Sequence, residues 1–484
     1  MQCCTIPNRH TRIDMKRHKI LTAALVLGAA FPCALNAQQT LSLQECREMA
    51  IQNNKELEQA GIQTELAEYD KKIARANYYP NISAMGSYMY RTGEISLVTD
   101  EESQMLQNLG TLMQSGLPDG IDISAMLNQL GTELDEALHL DNHNSFIFGV
   151  SLQQPIFMGG KIINSNKIAT LAEEMAKEQY GQKYQDLIVD VDEAYWQIVS
   201  IANKKRMAEE YAELLHNLER DAEISKREGV ATTSDALQVK VQANEADMLL
   251  TKADNALILA KMLLCKEIGI DLRSDITLED ETLDVIPLPE LTQDKDMEEI
   301  LEDRHETKSL ELATQIYDGK VKIARADMMP TVALTANYML TNPNLTNGLE
   351  TNFGGFFTVG ATVSVPIFHG FEANLKTRRA KAEARIYRSK YEDACDMIEL
   401  EVTQLRQQRG EAYEKLAMAK SNLESAQENL RTATLGFEAG VVDANTALSA
   451  HTAWLQAQSE FIDAGIEIQM NNVNLYKAEG RYEE

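Results

Sequence analysis

Four stretches of the chain alternate apolar with polar or small side chains at a period of two, the pattern of β-strands with two unlike faces. In the first, Ile82, Ala84, Gly86, Tyr88 and Tyr90 alternate with Ser83, Met85, Ser87, Met89 and Arg91. In the second, Phe146, Phe148, Val150 and Leu152 alternate with Ile147, Gly149, Ser151 and Gln153, more weakly because Ile147 interrupts the polar side. The third sets Val332, Leu334, Ala336, Tyr338 and Leu340 against Thr331, Ala333, Thr335, Asn337 and Met339. The fourth sets Phe357, Val359, Ala361, Val363 and Val365 against Thr358, Gly360, Thr362 and Ser364. The strands are expected at about 81–92, 146–157, 331–341 and 356–368.

The remaining periodicity is helical. No proline interrupts Ile162 to Arg227, and at ~1.5 Å per residue such a helix approaches ~100 Å. It carries one seam through Tyr184, Leu187, Val191, Ala194, Ile198 and Ile201 and an adjacent one through Ile188, Tyr195, Val199 and Ala202. Two seams predict two neighbours, as in a ring of helices. Return helices keep heptad steps at Ala243, Ala246, Leu250, Ala253, Leu257, Ala260 and Leu264, and again at Ala447, Ala450, Trp454, Ala457, Phe461, Ala464 and Ile468. The other faces are rich in Glu, Asp, Lys and Gln, which suits a tube with water on both sides rather than a filled bundle.

This pattern occurs twice. Lys72 to Pro80 reads KIARANYYP and Lys322 to Pro330 reads KIARADMMP, an offset of 250 residues. Pro155 to Phe157 returns as Pro366 to Phe368 at an offset of 211, and Glu228-Gly229-Val230 aligns with Ala439-Gly440-Val441 at the same offset. The 39-residue difference therefore lies between the first two strands, where Met105 to Met113 and Met126 to Leu134 predict short amphipathic helices in a long loop. A period this long is a duplicated half-protein, not a solenoid repeat. The expected organisation is a signal peptide at 1–37, a first repeat at 38–270, a linking segment at 271–296 and a second repeat at 297–484.

Composition narrows the compartment. An internal start at Met15 would give Lys16, Arg17 and Lys19 before the apolar run Ile20 to Phe31 and then Leu35-Asn36-Ala37, a secretory leader cleaved after Ala37. Lipidation at Cys33 is the lesser reading, because Pro32 suits that cleavage poorly. Loss of residues 1–37 removes five cations and one anion and takes the net charge from -28 to -32, which argues against nucleic acid as a partner. Three cysteines remain, Cys46, Cys265 and Cys395, too few and too scattered for a disulfide framework.

After the leader no apolar run is long enough for a transmembrane helix, so a membrane role would fall to the strands. Strands of roughly ten residues with one apolar face fit a transmembrane β-barrel, and a soluble sheet packed on its own helices is the alternative. Four strands cannot close, since the smallest membrane barrels have about eight. An open edge cannot sit in lipid, so several copies would have to pool their strands.

Taken together, the duplication, the strand pairs ending in Gln154-Pro155-Ile156-Phe157 and Val365-Pro366-Ile367-Phe368, and the two helix reversals resemble the outer-membrane efflux family, the TolC-like channels, over essentially all of 38–484. The resemblance implies a mainly α homotrimer whose 12-stranded transmembrane β-barrel, four strands per chain, sits in outer-membrane lipid and continues as a long periplasmic α-helical barrel. It implies a passive exit duct of a tripartite efflux or type I secretion system in a Gram-negative bacterium, opened by a periplasmic adaptor (membrane fusion protein) and an inner-membrane transporter. It further implies that the reversals are the pore-closing, adaptor-binding tips: Gly229, Val230, Thr233, Ser234, Asp235 and Leu237 in the first, Gly440, Val441, Asp443, Thr446 and Leu448 in the second. Asp235 matches an acidic position of the first tip. Thr446 and Ser449 stand where well-known members carry constricting aspartates, which puts the gating in doubt. Helix reversal by itself accounts for most of these residues, with Gly229 and Gly440 ending one helix and Thr233, Ser234 or Asp443 capping the next.

No enzyme is expected. His305 with Glu302 and Glu306 reads as chance on an acidic helix, and there is no phosphate loop and no Cys/His cluster with metal spacing. His139 and His143 stand four apart, but Asp141 and Asn142 make that segment a loop, so no metal and no cofactor are assigned. The cargo stays open among drugs, metal ions and polypeptides. The competing reading of the whole is a soluble periplasmic coiled-coil scaffold with a small water-exposed sheet.

Overall fold

In a computed structural model of the chain, the described residues are 39–92, 95–96, 98–114, 123–140, 143–229, 232–290, 293–344, 346, 352–439, 441–442 and 444–482. The expected leader lies outside them.

After the short strand β1 (Gln39–Leu41), helices α1 (Leu43–Asn53) and α2 (Lys55–Ala76) lead to strand β2 (Asn81–Tyr90). A loop excursion of short elements follows: β3 (Ile95–Ser96), α3 (Asp100–Gln107), α4 (Leu109–Gln114), α5 (Ser124–Leu138) and β4 (His139–Leu140). Strand β5 (Asn144–Met158) then passes into the long α6 (Lys161–Arg227), and α7 (Thr233–Glu267) returns. A crossing segment carries β6 (Ile276–Leu278) and a 3-10 turn at Glu279–Thr282. The second half contains α8 (Met297–Asp303), α9 (His305–Ala326), β7 (Thr331–Asn342), β8 (Gly354–Ser364), α10 (Glu372–Glu438) and α11 (Ala444–Ala478). The paired helices match in length: α2 and α9 have 22 residues, α6 and α10 have 67, α7 and α11 have 35. The internal duplication is thus structural, and the loop excursion after β2 is its main interruption.

The long strands form one antiparallel sheet in the order β2-β5-β7-β8. Its register pairs Tyr88 with Phe146, Phe148 with Leu340, Val150 with Tyr338 and Tyr338 with Phe357. Paired residues share a face, so the four apolar sets of the sequence fall on a single side of the sheet. The opposite side mixes small and polar residues with Met85, Met89, Ile147 and Met339; on it the Ser83 and Ser151 hydroxyls lie 2.7 Å apart and Thr335 donates to the Gly360 carbonyl. β8 stops at Ser364, paired with Thr331, four residues short of the expected end. Pro366 has no N–H to continue a ladder. In the first half β5 carries the matching Pro155 within its pairing by a register shift between Pro155 and Phe157.

Helix α6 has the two neighbours its seams require. Leu187, Val191, Ala194, Tyr195, Ile198 and Val199 are buried in a core shared with Ala260 and Leu264 of α7 and Ile462 of α11. Cys46 and Cys265 are buried in the same core, where burial pushes the Cys46 thiol up to about 12; Cys395 is half-buried, and all three are free.

The two repeats make equivalent joints at mid-height. Asn54 caps α2, its Oδ1 accepting from the Glu56 and Leu57 N–H groups, and its Nδ2 donates to the carbonyl of Glu267, the last residue of α7. In the second repeat Arg304 holds this position, donating at 3.3 Å to the carbonyl of Ala478, the last residue of α11, and binding Glu306 and Glu401. Thus His305 and Glu306, read from sequence as chance, have partners: Glu306 takes Arg304, and His305 Nδ1 lies 2.7 Å from Glu178 of α6.

The acidic segment after α7 lies across three helices as a strap. Tyr195 of α6 donates to Asp280 at 2.7 Å, and Arg206 of α6 binds Asp284 at 2.6 Å. Gln469 of α11 donates to the Pro287 carbonyl, Ile286 closes over Gly465, and Arg409 of α10 binds Asp294 at 2.7 Å.

Above this strap, Arg47 of α1 binds the fully buried Asp192 of α6 through both carboxylate oxygens. Truncating one partner leaves the other charged and without a partner in the interior. Arg47→Met is therefore expected to destabilise the helical part by about 3–5 kcal/mol. The double variant Arg47→Met with Asp192→Leu should recover much of that loss, as read from urea midpoints of the helical circular-dichroism signal. A double variant worse than the single would contradict this account.

Candidate functional site

The candidate contact residues sit in the two helix reversals. At the first, the Glu228 N–H donates to Ile224 O at 3.0 Å and the Gly229 N–H to Lys226 O at 3.2 Å. Gly229 has φ 78°, the left-handed conformation in which a side chain is strained, so glycine ends α6 as its position suggested. Val230 lies outside the described residues. The next helix starts at Thr233, which makes Thr232 the N-cap; its carbonyl accepts from the Ala236 N–H at 3.3 Å. Thr233 and Ser234 are thus exposed first-turn residues rather than caps. Asp235 shares that turn, its side chain outside the described set, and Leu237 is exposed.

At the second reversal the Val441 and Val442 N–H groups both return to the Gly436 carbonyl, at 2.9 and 3.1 Å. A bond from the third residue past a helix end back to its last turn is the closure expected there. Val442 then covers Gly436 so closely that a Cβ on the glycine would come within 2.6 Å of it. Gly440 and Asp443 lie outside the described residues. Val441 is 82% exposed, Thr446 is exposed and Leu448 is half-buried.

Leu448 joins the two tips. It packs with Tyr211 and Leu218 against Ala212, Leu215, Ala243 and Ala246, so α6 is held by α7 on one side and α11 on the other near its end. Above this cluster Tyr211 stacks on His451, centroids 6.2 Å apart, and Trp454 meets His451 edge-on at 5.6 Å. On the α7 side, His216 Nε2 lies 2.9 Å from Asp247 and its Nδ1 3.5 Å from Glu219. The hydrogen bond and charge of Asp247 raise the His216 pKa, whereas burial lowers that of His451. Neither histidine stood out in the sequence. The available signal was that His451 precedes Trp454 by three residues, one helical turn, beside the α11 seam.

Nothing in this arrangement supplies bond-making chemistry. It offers exposed Leu237 and Val441, rimmed by hydroxyls, on two hairpins whose relative position depends on α6. Among the described residues no group of three metal-ligating side chains occurs.

Two outcomes follow for the tips. Gly436→Ala must displace Val442, at about 1–3 kcal/mol, and amide exchange should quicken over 437–446 while the first hairpin is unchanged. The histidines respond to pH with opposite signs. The raised His216 value makes its contribution complete below the usual 6.5 and lost as pH rises through the raised value. The depressed His451 value makes its packing complete above 6.5 and lost as pH falls. Acidification from about pH 8 to about pH 5.5 should therefore slow exchange at 241–250 and quicken it at 448–455, relative to intrinsic rates. His216→Asn should abolish the first change only, and parallel changes at both seams would contradict the assignment.

Comparison with known proteins identifies the family and the fold. Residues 46–269 and 297–481 match the family described as outer membrane efflux protein. The probable efflux pump outer membrane protein TtgC of Pseudomonas putida is 23% identical over 453 residues, covering 91% of this chain and 83% of that protein. Protein CyaE of Bordetella pertussis is 23% identical over 353 residues, covering 70% of this chain and 72% of its own. Among solved structures, the CmeC outer membrane channel of Campylobacter jejuni superposes with a TM-score of 0.72 at 15% identity, covering 90% of this chain and 85% of that one. The open state of the MtrE outer membrane channel of Neisseria gonorrhoeae gives 0.68 at 18% identity, covering 90% and 88%. The family is one of transport channels rather than enzymes, and its place is the outer membrane. With its two repeats matched by the family and its fold shared with these channels, the chain belongs to the outer membrane efflux protein family.

Proposed function

We propose that three copies of the chain form one passive duct, a 12-stranded barrel in the outer membrane continued by a helical tube, whose tips Gly229–Leu237 and Gly440–Leu448 open when a periplasmic adaptor docks. The carrying observation is the single apolar face of the sheet with both edges, β2 and β8, unpaired. In lipid each open edge needs a partner, and β8 of one copy beside β2 of the next supplies it. The flanking helices support the same contact. On the β2 flank, α2 exposes Ile62, Leu66, Tyr69 and Ile73 at heptad steps; on the β8 flank, α10 exposes Leu375, Ile386 and Met397 at steps of 11.

The relatives are named as parts of efflux pumps, and one channel of this fold has been captured in an open state, which supports a gate at one end. Energy would come from an inner-membrane pump, as in the efflux pumps of which the relatives are named parts. The acidic composition favours cation passage, three copies of each lumen carboxylate surrounding one axis.

The deciding experiment is gel migration of outer-membrane protein with and without boiling, together with native mass. A detergent-resistant, heat-modifiable trimer is expected. Ile62→Glu with Leu66→Glu and Ile73→Glu should convert it to monomer while leaving the helix signal largely intact. A native monomer that washes from envelopes with carbonate would instead favour the soluble scaffold.

A further inference from the structure

On a chain of net charge -28, one groove is strongly basic. Between α9 and α10, Arg325, Arg378, Lys381, Arg385 and Arg388 line a cavity of about 590 Å³ with a single acid, Asp318. Asp318 is engaged by Arg388 at 2.9 Å. The other four cations are exposed and make no ion pair with any described residue. The groove is a product of the helix contact. Val321 of α9 packs on Ala380 and Ala384 of α10, and Tyr317 stacks on Tyr387 at 3.8 Å. Arg378, Lys381, Arg385 and Arg388 each follow by one position the α10 residues Thr377, Ala380, Ala384 and Tyr387, so they line one mouth of that contact.

Duplication does not account for the charge. At the equivalent places of the first repeat stand Arg75, Lys167, Thr170, Glu174 and Lys177, and Lys177 is paired with Glu173 at 2.9 Å. Only the second repeat concentrates cations here. Its position is also distinctive. Arg325 lies in the last turn of α9, six residues before β7, and Arg378 lies six residues into α10, ~9 Å from that helix's start at ~1.5 Å per residue. Between β8 and α10 lies an exposed apolar collar, Ile367 and Phe368, the latter packed edge-on against Phe371 at 5.6 Å, and Tyr78 and Tyr79 are exposed at the corresponding junction of α2 and β2. Aromatic side chains favour the membrane–water interface, so the groove starts at headgroup depth.

We propose that this groove binds the phosphate of anionic phospholipid headgroups in the periplasmic leaflet, fixing the depth and tilt of the duct. Guanidinium groups match phosphate oxygens with paired N–H donors, and clustered Lys and Arg beside a membrane-spanning element attract anionic lipid. The proposal rests on the sheet lying in the membrane, which heat-modifiability reports separately; an inserted trimer without lipid preference overturns the groove alone.

The test uses the full-length, detergent-solubilised protein titrated with mixed micelles of phosphatidylglycerol or phosphatidylethanolamine, with bound lipid counted by native mass spectrometry. Wild type should prefer phosphatidylglycerol by on the order of tenfold or more at low salt, the preference falling as salt screens the groove. Arg378→Gln with Lys381→Gln and Arg385→Gln should bring the preference near parity, whereas Arg379→Gln, whose guanidinium pairs with Glu383 away from the groove, should retain it. A triple variant that keeps the preference overturns the proposal, as does a wild-type preference indifferent to salt, which remains readable if the variant fails to assemble. Displacement of phosphatidylglycerol by millimolar inorganic phosphate would overturn the lipid assignment in favour of a free anion, and a triple variant with altered ion selectivity but unchanged lipid binding would place the groove on the duct.

Discussion

The constraint on which the structure turns is the hydrogen-bonding demand of two sheet edges. A sheet whose apolar side chains share one face can bury that face in hydrocarbon, but there an unpaired backbone N–H or C=O costs several kcal/mol. β2 and β8 each present such a row. The same order that leaves them at the edges of the sheet leaves α2 and α10 at the flanks of the helical layer, with apolar residues exposed in continuation of the strands. Edge and flank pose one problem, and in the proposed assembly a neighbouring copy answers both.

Within the chain, the problem is solved by α6. Small residues let it approach neighbours on two sides: Ala194 and Ala212 on the helix itself, Ala243, Ala246 and Ala260 facing it. Polar groups then fix the register of that packing at separated heights. Arg47 reaches Asp192, Asn54 reaches the end of α7, and Ser200 reaches Asp463 of α11 at 2.8 Å. The second repeat keeps the plan but changes the chemistry, Arg304 replacing Asn54 at the joint and bringing Glu401 and Glu306 with it. A duplicated backbone has thus been given two different electrostatic surfaces.

Much of the fold was legible in the sequence because its signals are periodic. The alternation at 82–90 and 332–340 set strand faces, the double seam at 184–202 set two neighbours for α6, and the pair of offsets located the loop excursion. The candidate site was less legible for a physical reason. At the first reversal any of several hydroxyls can cap a helix, and the choice of Thr232 over Thr233 or Ser234 depends on where the chain turns after Gly229. His216 and the Arg304 network depend on residues more than thirty positions away that no local pattern announces, and for His451 the one-turn spacing to Trp454 is the sole local cue to a contact completed by the distant Tyr211. Long-range polar partners are set by tertiary packing, which periodicity does not encode.

The strap across α6, α11 and α10 has a mechanical meaning. It is tied to the long helices at Arg206 and Arg409, leaving some 30–45 Å of each beyond it before the helix ends, at ~1.5 Å per residue. That makes it a fulcrum with an arm of each helix on either side. A rotation of only ~10° about the strap carries each helix end sideways by about 5–8 Å, on a lever of that length. A small adjustment among its ion pairs is therefore geometrically equivalent to a large displacement of both helix ends.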